Sequence, residues 1–411
     1  MSVLFKVSNH CLSCGSAQLE EIFKMDALPL ADRLKRDADE VSESVPLTLV
    51  RCTECELVHV RELVEPSTLF PPDYPYFTGV SSALTVHFRG LADSLIEQFG
   101  LSQHSFVLDI GSNDGTALKR FKENRISVLG IDPTTWPALR ALNDGIPTLR
   151  EFWNYRTSEI VRSELGKPID VILSNNVISH VADPNDYIRG LANVCDENTN
   201  VVAEFPYLKS IIEKTAFDII FHQHVSYFTL KSFESLVSSH GFHLNDAELL
   251  NVHGGNLRVY FSKKEGGSSR LEKLRTEETD ISDLSTLQSF VKRIDSTKKD
   301  TLQLIDNLIS EGKTIMGYGA AGKATMLIEY FELDNSRISG MLDKNAVKQG
   351  KYFPAFGHLI QSPEILKDQN QRPDYLIILA WTLKDEIIQE LEFFHRKGGK
   401  FIIILPELVV I

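Results

Sequence analysis

The stretch Val107-Leu-Asp-Ile-Gly-Ser-Asn-Asp-Gly-Thr116 constrains the fold more than any other part of this chain. An apolar strand runs into a glycine-punctuated loop, and a helical pattern follows. The next apolar run, Ser127-Val-Leu-Gly-Ile-Asp132, closes on an acid. Strand, glycine loop, helix and acid-terminated strand make the nucleotide-binding half of a doubly wound sheet. Gly111 lets backbone approach a ligand, and Asp132 can accept hydrogen bonds from a ribose diol. Asp109 and Asp114 add negative charge, and the loop holds no basic residue. A pyrophosphate would be repelled there, whereas the sulfonium and ammonium groups of S-adenosylmethionine (SAM) would be attracted. The loop therefore reads as a SAM site, with Asp109, Gly111, Asn113, Asp114 and Asp132 as its contacts.

Four of the five cysteines form two knuckles, Cys11-Leu-Ser-Cys14 and Cys52-Thr-Glu-Cys55. Paired C-x-x-C knuckles match a zinc ribbon, in which four thiolates close a tetrahedral shell and leave no open position for catalysis. The predicted ion is structural. Cys195 follows a helical pattern and reads as core. No basic segment followed by a long apolar run opens the sequence, and no run approaches the ~18 apolar residues of a membrane helix. The expectation is a cytoplasmic enzyme. A net charge of -13, with acids spread along all 411 residues, argues against nucleic acid or an anionic membrane as partner.

The length suits two to three domains. Residues 1–72 read as short strands and turns around the knuckles. Residues 73–265 read as the SAM domain, with further strands at Val171–Asn175, Asn200–Phe205 and Gly255–Phe261. Strands alternating with helices predict a mostly parallel sheet covered on both faces. Residues 266–411 begin with a charged helix or helix pair, where Leu284, Leu287, Val291 and Ile294 recur at helical spacing. A second strand–glycine–helix unit follows at Gly317-Tyr-Gly319-Ala-Ala-Gly322-Lys323, with Asp343 closing its next strand. Here a lysine follows the glycines, so this loop suits phosphate.

Polar groups follow the strands of the SAM domain, where open α/β sheets bind ligands. They are Asn175, Asn176 and His180; Glu204 and Tyr207; and His222, Gln223 and His224. A SAM site with bases nearby fits methyl transfer. A carbon nucleophile needs an acidic C–H beside a carbonyl, a base, and a group that stabilises the enolate. Histidine suits both tasks near neutral pH. Each histidine could instead be a hydrogen-bonded core residue. A metal at His222-x-His224 lacks an adjoining acid or cysteine. Tyr74-Pro-Tyr76-Phe could pack between domains or form a lid with a phenol.

Taken in order, these segments resemble the nucleotide-sugar C-methyltransferases, the C-3′ methyltransferases of branched deoxysugar biosynthesis. The resemblance covers nearly the whole chain. Beyond the knuckles, Tyr74-Pro-Tyr-Phe and the Asp109 loop, it includes Asn175-Asn-Val-Ile-Ser-His-Val, Glu204-Phe-Pro-Tyr and His253-Gly-Gly-Asn-Leu-Arg. It continues through Gly317-Tyr-Gly-Ala, Asp343-Lys-Asn-Ala-Val-Lys-Gln-Gly and Ile378-Leu-Ala-Trp-Thr-Leu-Lys-Asp. It implies an α/β chain with an N-terminal zinc-ribbon-like domain, a central class I SAM methyltransferase sheet and a C-terminal Rossmann-like domain. The implied acceptor is a nucleoside-diphosphate-linked 4-keto-6-deoxy sugar lying between the last two domains. Removal of its C3 proton would give an enolate that takes the methyl. The implied cofactors are SAM and structural zinc, in a monomer or small homo-oligomer.

By the same resemblance, His224 is the base, with His180 and Tyr76 at the other catalytic positions. Asn175 and Asn176 join the SAM contacts. Tyr76, Glu204, Tyr207, Asn256, Arg258, Gly319, Lys323, Asp343, Lys348 and Trp381 are expected around the sugar nucleotide. One segment departs from the family's Tyr-His-Glu-His, reading Phe221-His222-Gln223-His224. Gln223 would then be a neutral neighbour of the imidazolium, and Gln223→Glu would be expected to raise activity. The competing reading is a dehydrogenase or epimerase with NAD at Gly317-x-Gly319-x-x-Gly322 and Asp343 on the ribose. A zinc-ribbon binding module without catalysis is a third.

Overall fold

The computed structural model describes residues 4–74, 76–252 and 254–411. Pro75 of the aromatic segment and His253 of the His-Gly-Gly-Asn motif lie outside them. Three sheets carry the chain, with a two-stranded ribbon, Phe5–Val7 with Glu62–Val64, beside the first. The first sheet is antiparallel, in the order Ser226–Tyr227, Val58–Val60, Ser44–Cys52, Leu19–Pro29. Its outermost strand, Ser226–Tyr227, comes from the middle of the sequence, so the zinc section and the SAM section share a sheet.

The second sheet has seven strands in the order His243–Leu250, Asn256–Ser262, Asn200–Pro206, Val171–Asn175, Phe106–Ile110, Ser127–Ile131, Thr148–Leu149. Asn256–Ser262 runs antiparallel to both neighbours, and the other pairings are parallel. Its central strands are buried along their length, as expected of a sheet covered on both faces. The helix Ser82–Phe99 covers one face. Ser81 caps it by accepting from the Leu84 N–H, and Gly100, at φ +61°, ends it. Leu84, Phe88, Leu91 and Leu95 make its buried stripe.

The third sheet is ordered Ile360–Gln361, Met341–Leu342, Ile315–Tyr318, Tyr375–Ile378, Lys400–Ile403, Val409–Val410, parallel except for the last. The charged connector is a helix pair, Ser269–Glu277 and Leu284–Ser310. A continuous apolar core joins Leu47 and Val60 of the first sheet, Ile211, Phe217 and Phe221 of the middle section, Phe290 and Ile294 of the long helix, and Ile315 and Leu327 of the third. The three sections thus pack against one another through a shared core. No helix among the described residues is long and apolar enough to cross a membrane.

Candidate functional site

Gly111 turns the chain at the end of Phe106–Ile110 with φ +72°, and a Cβ there would lie 2.3 Å from Val177 Cγ2. Only glycine fits this position. The turn lines up a chain of acceptors and donors. The Asn113 N–H donates to Asp132 Oδ2 at 2.9 Å, and the Thr134 N–H to Asp132 Oδ1 at 2.9 Å. A segment from earlier in the chain closes over the loop. Asn113 Nδ2 donates to the Tyr76 carbonyl at 3.1 Å, the Thr78 N–H to Asn113 Oδ1 at 2.8 Å, and the Gly79 N–H to Asp114 Oδ2 at 2.9 Å. The aromatic segment is therefore tied to the loop as a cover, and Tyr76 keeps 45% of its surface exposed.

Burial, with Asp132 nearby, pushes the Asp109 carboxyl well above the ordinary carboxylate range, and burial also raises Asp132. A bound cation would oppose both effects. Asn175, at the end of Val171–Asn175, has both amide atoms buried without a partner among the described residues. Buried polar atoms of this kind point to a ligand that satisfies them. These observations fit a cationic, amino-acid-bearing cofactor such as SAM. Asn176, at φ +55°, faces Asn256, whose Nδ2 donates to Asn176 Oδ1 at 2.8 Å.

His180 and His224 lie ring to ring, with centroids 4.7 Å apart. Phe70 closes on His180 and Phe221 on His224. His180 Nδ1 donates to the Gln223 carbonyl at 2.5 Å, and His224 Nδ1 donates to the Ile219 carbonyl at 2.8 Å. A carbonyl only accepts, so each contact keeps a proton on Nδ1; Nε2 then offers a lone pair when the ring is neutral and an N–H when it is protonated. Burial lowers the His180 pKa, while the Gln223 and Asn176 backbone carbonyls oppose that. Two imidazoles side by side, each with Nδ1–H held by a carbonyl, can move a proton through Nε2, and a ring protonated there can hold a developing oxyanion.

Lys323 stands at the joint between the second and third sheets. Its Nζ is 3.1 Å from Thr382 Oγ1, 3.9 Å from Asp218 Oδ2 and 5.4 Å from the centre of the Trp381 ring. Trp381 Nε1 donates to Asp218 Oδ2 at 2.9 Å. Burial lowers the Lys323 pKa, against the pull of Asp218. On the loop at Gly319, Asp343 Oδ2 accepts from the Ala320 N–H at 2.9 Å.

Several expected site residues have other partners. Glu204 stands opposite Arg258 in the strand register, and its side chain is 1% exposed. It accepts from Arg258 Nε at 2.7 Å and meets His87 Nε2 at 2.9 Å, while Arg258 Nη1 reaches Glu248 at 2.7 Å. This is a buried ion network under the helix Ser82–Phe99, with no carboxylate left open to a sugar. Burial pushes the Glu204 carboxyl up, but His87 and Arg258 outweigh it and hold it below the ordinary range. Glu204→Gln should destabilise folding by about 3 kcal/mol, the lower end for a broken buried pair because Glu248 still faces Arg258. A depressed carboxyl contributes stability above its unfolded pKa and loses it as pH falls through the folded value. Urea unfolding of wild type should therefore weaken below about pH 4 more steeply than that of the variant.

Tyr207 is buried and its hydroxyl donates to Glu278, which also accepts the Leu230 and Lys231 N–H groups; it braces a helix start. His222 faces the first sheet. Its Nε2 donates to the Pro46 carbonyl at 3.0 Å, and burial drops its pKa to about 4. Lys348 Nζ donates to the Ala320 carbonyl at 2.7 Å and so struts the second glycine loop. Gln223 does not neighbour the His224 imidazole as expected. Its Nε2 donates to the Leu69 carbonyl at 3.2 Å. Asp32 lies against the second glycine loop, where a Cβ on Gly322 would be 2.6 Å from its Oδ2. Asp32 and Asp218 escaped the sequence reading. Asp218 interrupts the apolar run Ala216-Phe-Asp-Ile-Ile-Phe221, a signal that could have exposed it; Asp32 carries none.

Cys11, Cys14, Cys52 and Cys55 converge, with all four sulfurs within 4.8 Å of one another. Cys11 and Cys55 are 3.4 Å apart, and Cys14 and Cys52 3.5 Å. The donor set and spacing suit one tetrahedral zinc ion.

Three family models match in series. A zinc binding domain matches residues 11–70, a methyltransferase domain 86–246, and a C-methyltransferase C-terminal domain 251–406. C-methyltransferase NovU of Streptomyces niveus is 29% identical over 418 aligned positions, covering 100% of this chain and 99% of NovU. Among solved structures, the PH0226 protein of Pyrococcus horikoshii is 13% identical over 48% of this chain and 98% of its own, with a TM-score of 0.38. Magnesium protoporphyrin IX methyltransferase of Synechocystis, with bound SAH, is 12% identical over 44% and 83%, with a TM-score of 0.35.

Proposed function

This chain belongs to the SAM-dependent C-methyltransferase family, and on that premise we propose that its acceptor is a nucleoside-diphosphate-linked 4-keto-6-deoxy sugar, methylated at C3 through an enolate. The observation that carries the reading is the His180–His224 pair, ring to ring with each Nδ1 held by a backbone carbonyl. We place the sugar nucleotide between residues 73–265 and 266–411. SAM supplies an electrophilic methyl group held by the acids of the first loop. Lys323 and the Gly319 loop take the diphosphate.

His224 removes the C3 proton. Its Nδ1–H, fixed on the Ile219 carbonyl, leaves Nε2 as the basic nitrogen. His180 is bracketed by the Gln223 and Asn176 carbonyls and serves with Tyr76 beside the ketone oxygen. Phe70 and Phe221 flank the pair. Taking the proton makes His224 an imidazolium, which can return a solvent-derived proton to C3 when no methyl donor is bound.

Incubating the protein with SAM and a panel of nucleoside-diphosphate 4-keto-6-deoxy sugars tests the substrate class. The expected result is a mass gain of one methyl group on at least one of them; none on any would refute it. Asp132→Ala should weaken SAM binding by about 1.5–3 kcal/mol, the scale of a charge-assisted hydrogen bond. Lys323→Ala should weaken only the nucleotide. Calorimetry with each ligand reads both, and equal losses for both ligands in either variant would contradict the division.

A further inference from the structure

The tight turn Phe217–Ile219 ties the third sheet to the histidine pair, and each of its residues has a different task. Phe217 is fully buried and stacks on Phe331, with ring centres 5.2 Å apart and planes 17° from parallel. Phe331 ends the helix Ala324–Tyr330, which begins directly after Lys323. Asp218 is buried; its Oδ2 accepts from Trp381 Nε1 at 2.9 Å and faces Lys323 Nζ at 3.9 Å. Ile219 offers its carbonyl to the His224 Nδ1–H at 2.8 Å and to the Tyr227 hydroxyl at 3.5 Å. Trp381 is itself wedged, since a Cβ on Gly254 would be 3.3 Å from its Cη2. It therefore meets the middle section on two sides. A carboxyl in the apolar run Ala216-Phe-Asp-Ile-Ile-Phe221 opposes burial, and packing alone does not call for one.

We infer that Asp218 is a positioning residue for methyl transfer: by accepting the Trp381 N–H and facing Lys323, it anchors the turn whose Ile219 carbonyl sets the His224 ring. The inference rests on the reading of His224 as the base. A carboxyl oxygen accepts an indole N–H whether the group is ionised or not, so the anchor does not depend on the charge of Asp218. When His224 takes the C3 proton, its Nδ1–H becomes a charge-assisted donor, and the Ile219 carbonyl receives it. A slack turn would lose both the placement of Nε2 and this support for the imidazolium. The same anchor joins the base to Lys323, so the section read as gripping the diphosphate also sets the base.

The test removes the two ends of the Asp218–Trp381 hydrogen bond, singly and together. At saturating ligands Asp218→Ala should turn over about 10–100-fold more slowly, the scale of a small misplacement of a catalytic group, with SAM affinity unchanged. Trp381→Phe should lose less, because the Lys323 contact remains. The double variant should be no slower than Asp218→Ala, because both changes break one bond. Exchange of the substrate's C3 proton without SAM should slow in parallel with turnover. Asp218→Ala with wild-type turnover, losses that multiply in the double variant, or a turnover loss without an exchange loss would each overturn the inference. Histidine ring NMR reads the anchor without substrate. The His224 signals should move in both single variants while those of His87 stay in place; unmoved His224 signals, or His87 signals that move as far, would overturn it. Wild type inert on every keto sugar would refute the substrate reading alone, and the ring signals then decide the anchor. If Asp218→Ala does not fold, Trp381→Phe, which keeps the Asp218–Lys323 pair, decides by turnover, exchange and the His224 signals.

Discussion

His224→Asn should bind SAM and sugar nucleotide as wild type does, yet turn over about 10²–10⁴-fold more slowly, the usual consequence of losing a general base. Asparagine keeps the donor to the Ile219 carbonyl, so the loop should stay in place and the loss should fall on proton removal. Exchange of the substrate's C3 proton with deuterated water, followed without SAM, isolates that step. It should slow in parallel with turnover. His180→Asn should do less to exchange, because His180's ring faces two carbonyls and serves the oxygen. If exchange survives in His224→Asn and vanishes in His180→Asn, the roles are reversed.

Removing zinc should be the largest perturbation of the fold. Structural zinc sites contribute on the order of 10–16 kcal/mol of apparent binding energy, and that energy is folding energy for the section it closes. Cys52 and Cys55 belong to the core of the SAM section, packed with Leu57, Phe205 and Phe233. The first sheet also takes its last strand from residues 226–227. Cys52→Ser should therefore lose metal, unfold the first sheet and loosen the segment 226–227 that pairs with it, abolishing turnover even in protein that remains soluble. Metal analysis, circular dichroism and activity on one preparation check this. Well-folded, active wild type without zinc would contradict it.

What the sequence disclosed follows from how local each signal is. Asp109, Gly111, Asp114 and Asp132 lie within two adjacent strands, and their spacing carries the chemistry. The knuckles are legible because two thiolates per turn is a metal geometry. The strand His243–Leu250 is hidden because a bulge between Leu244 and Asp246 breaks its alternation. Glu204 and Arg258 each read as site residues alone. Only the register that sets them opposite one another shows that they neutralise each other. The Gln223 side chain turns to the Leu69 carbonyl, a partner far away in sequence that no local pattern encodes. His222 and His224 are two residues apart yet face different neighbours, the first the Pro46 carbonyl of the first sheet and the second the His180 ring.

The central claim is carbon methylation beside the ketone, and product NMR tests it most directly. With SAM labelled in its methyl carbon, the product of wild type should show a labelled methyl coupled to C3 of the sugar, in place of the C3 proton that was removed. A labelled methyl on oxygen, or on any other carbon of the sugar, would contradict the account.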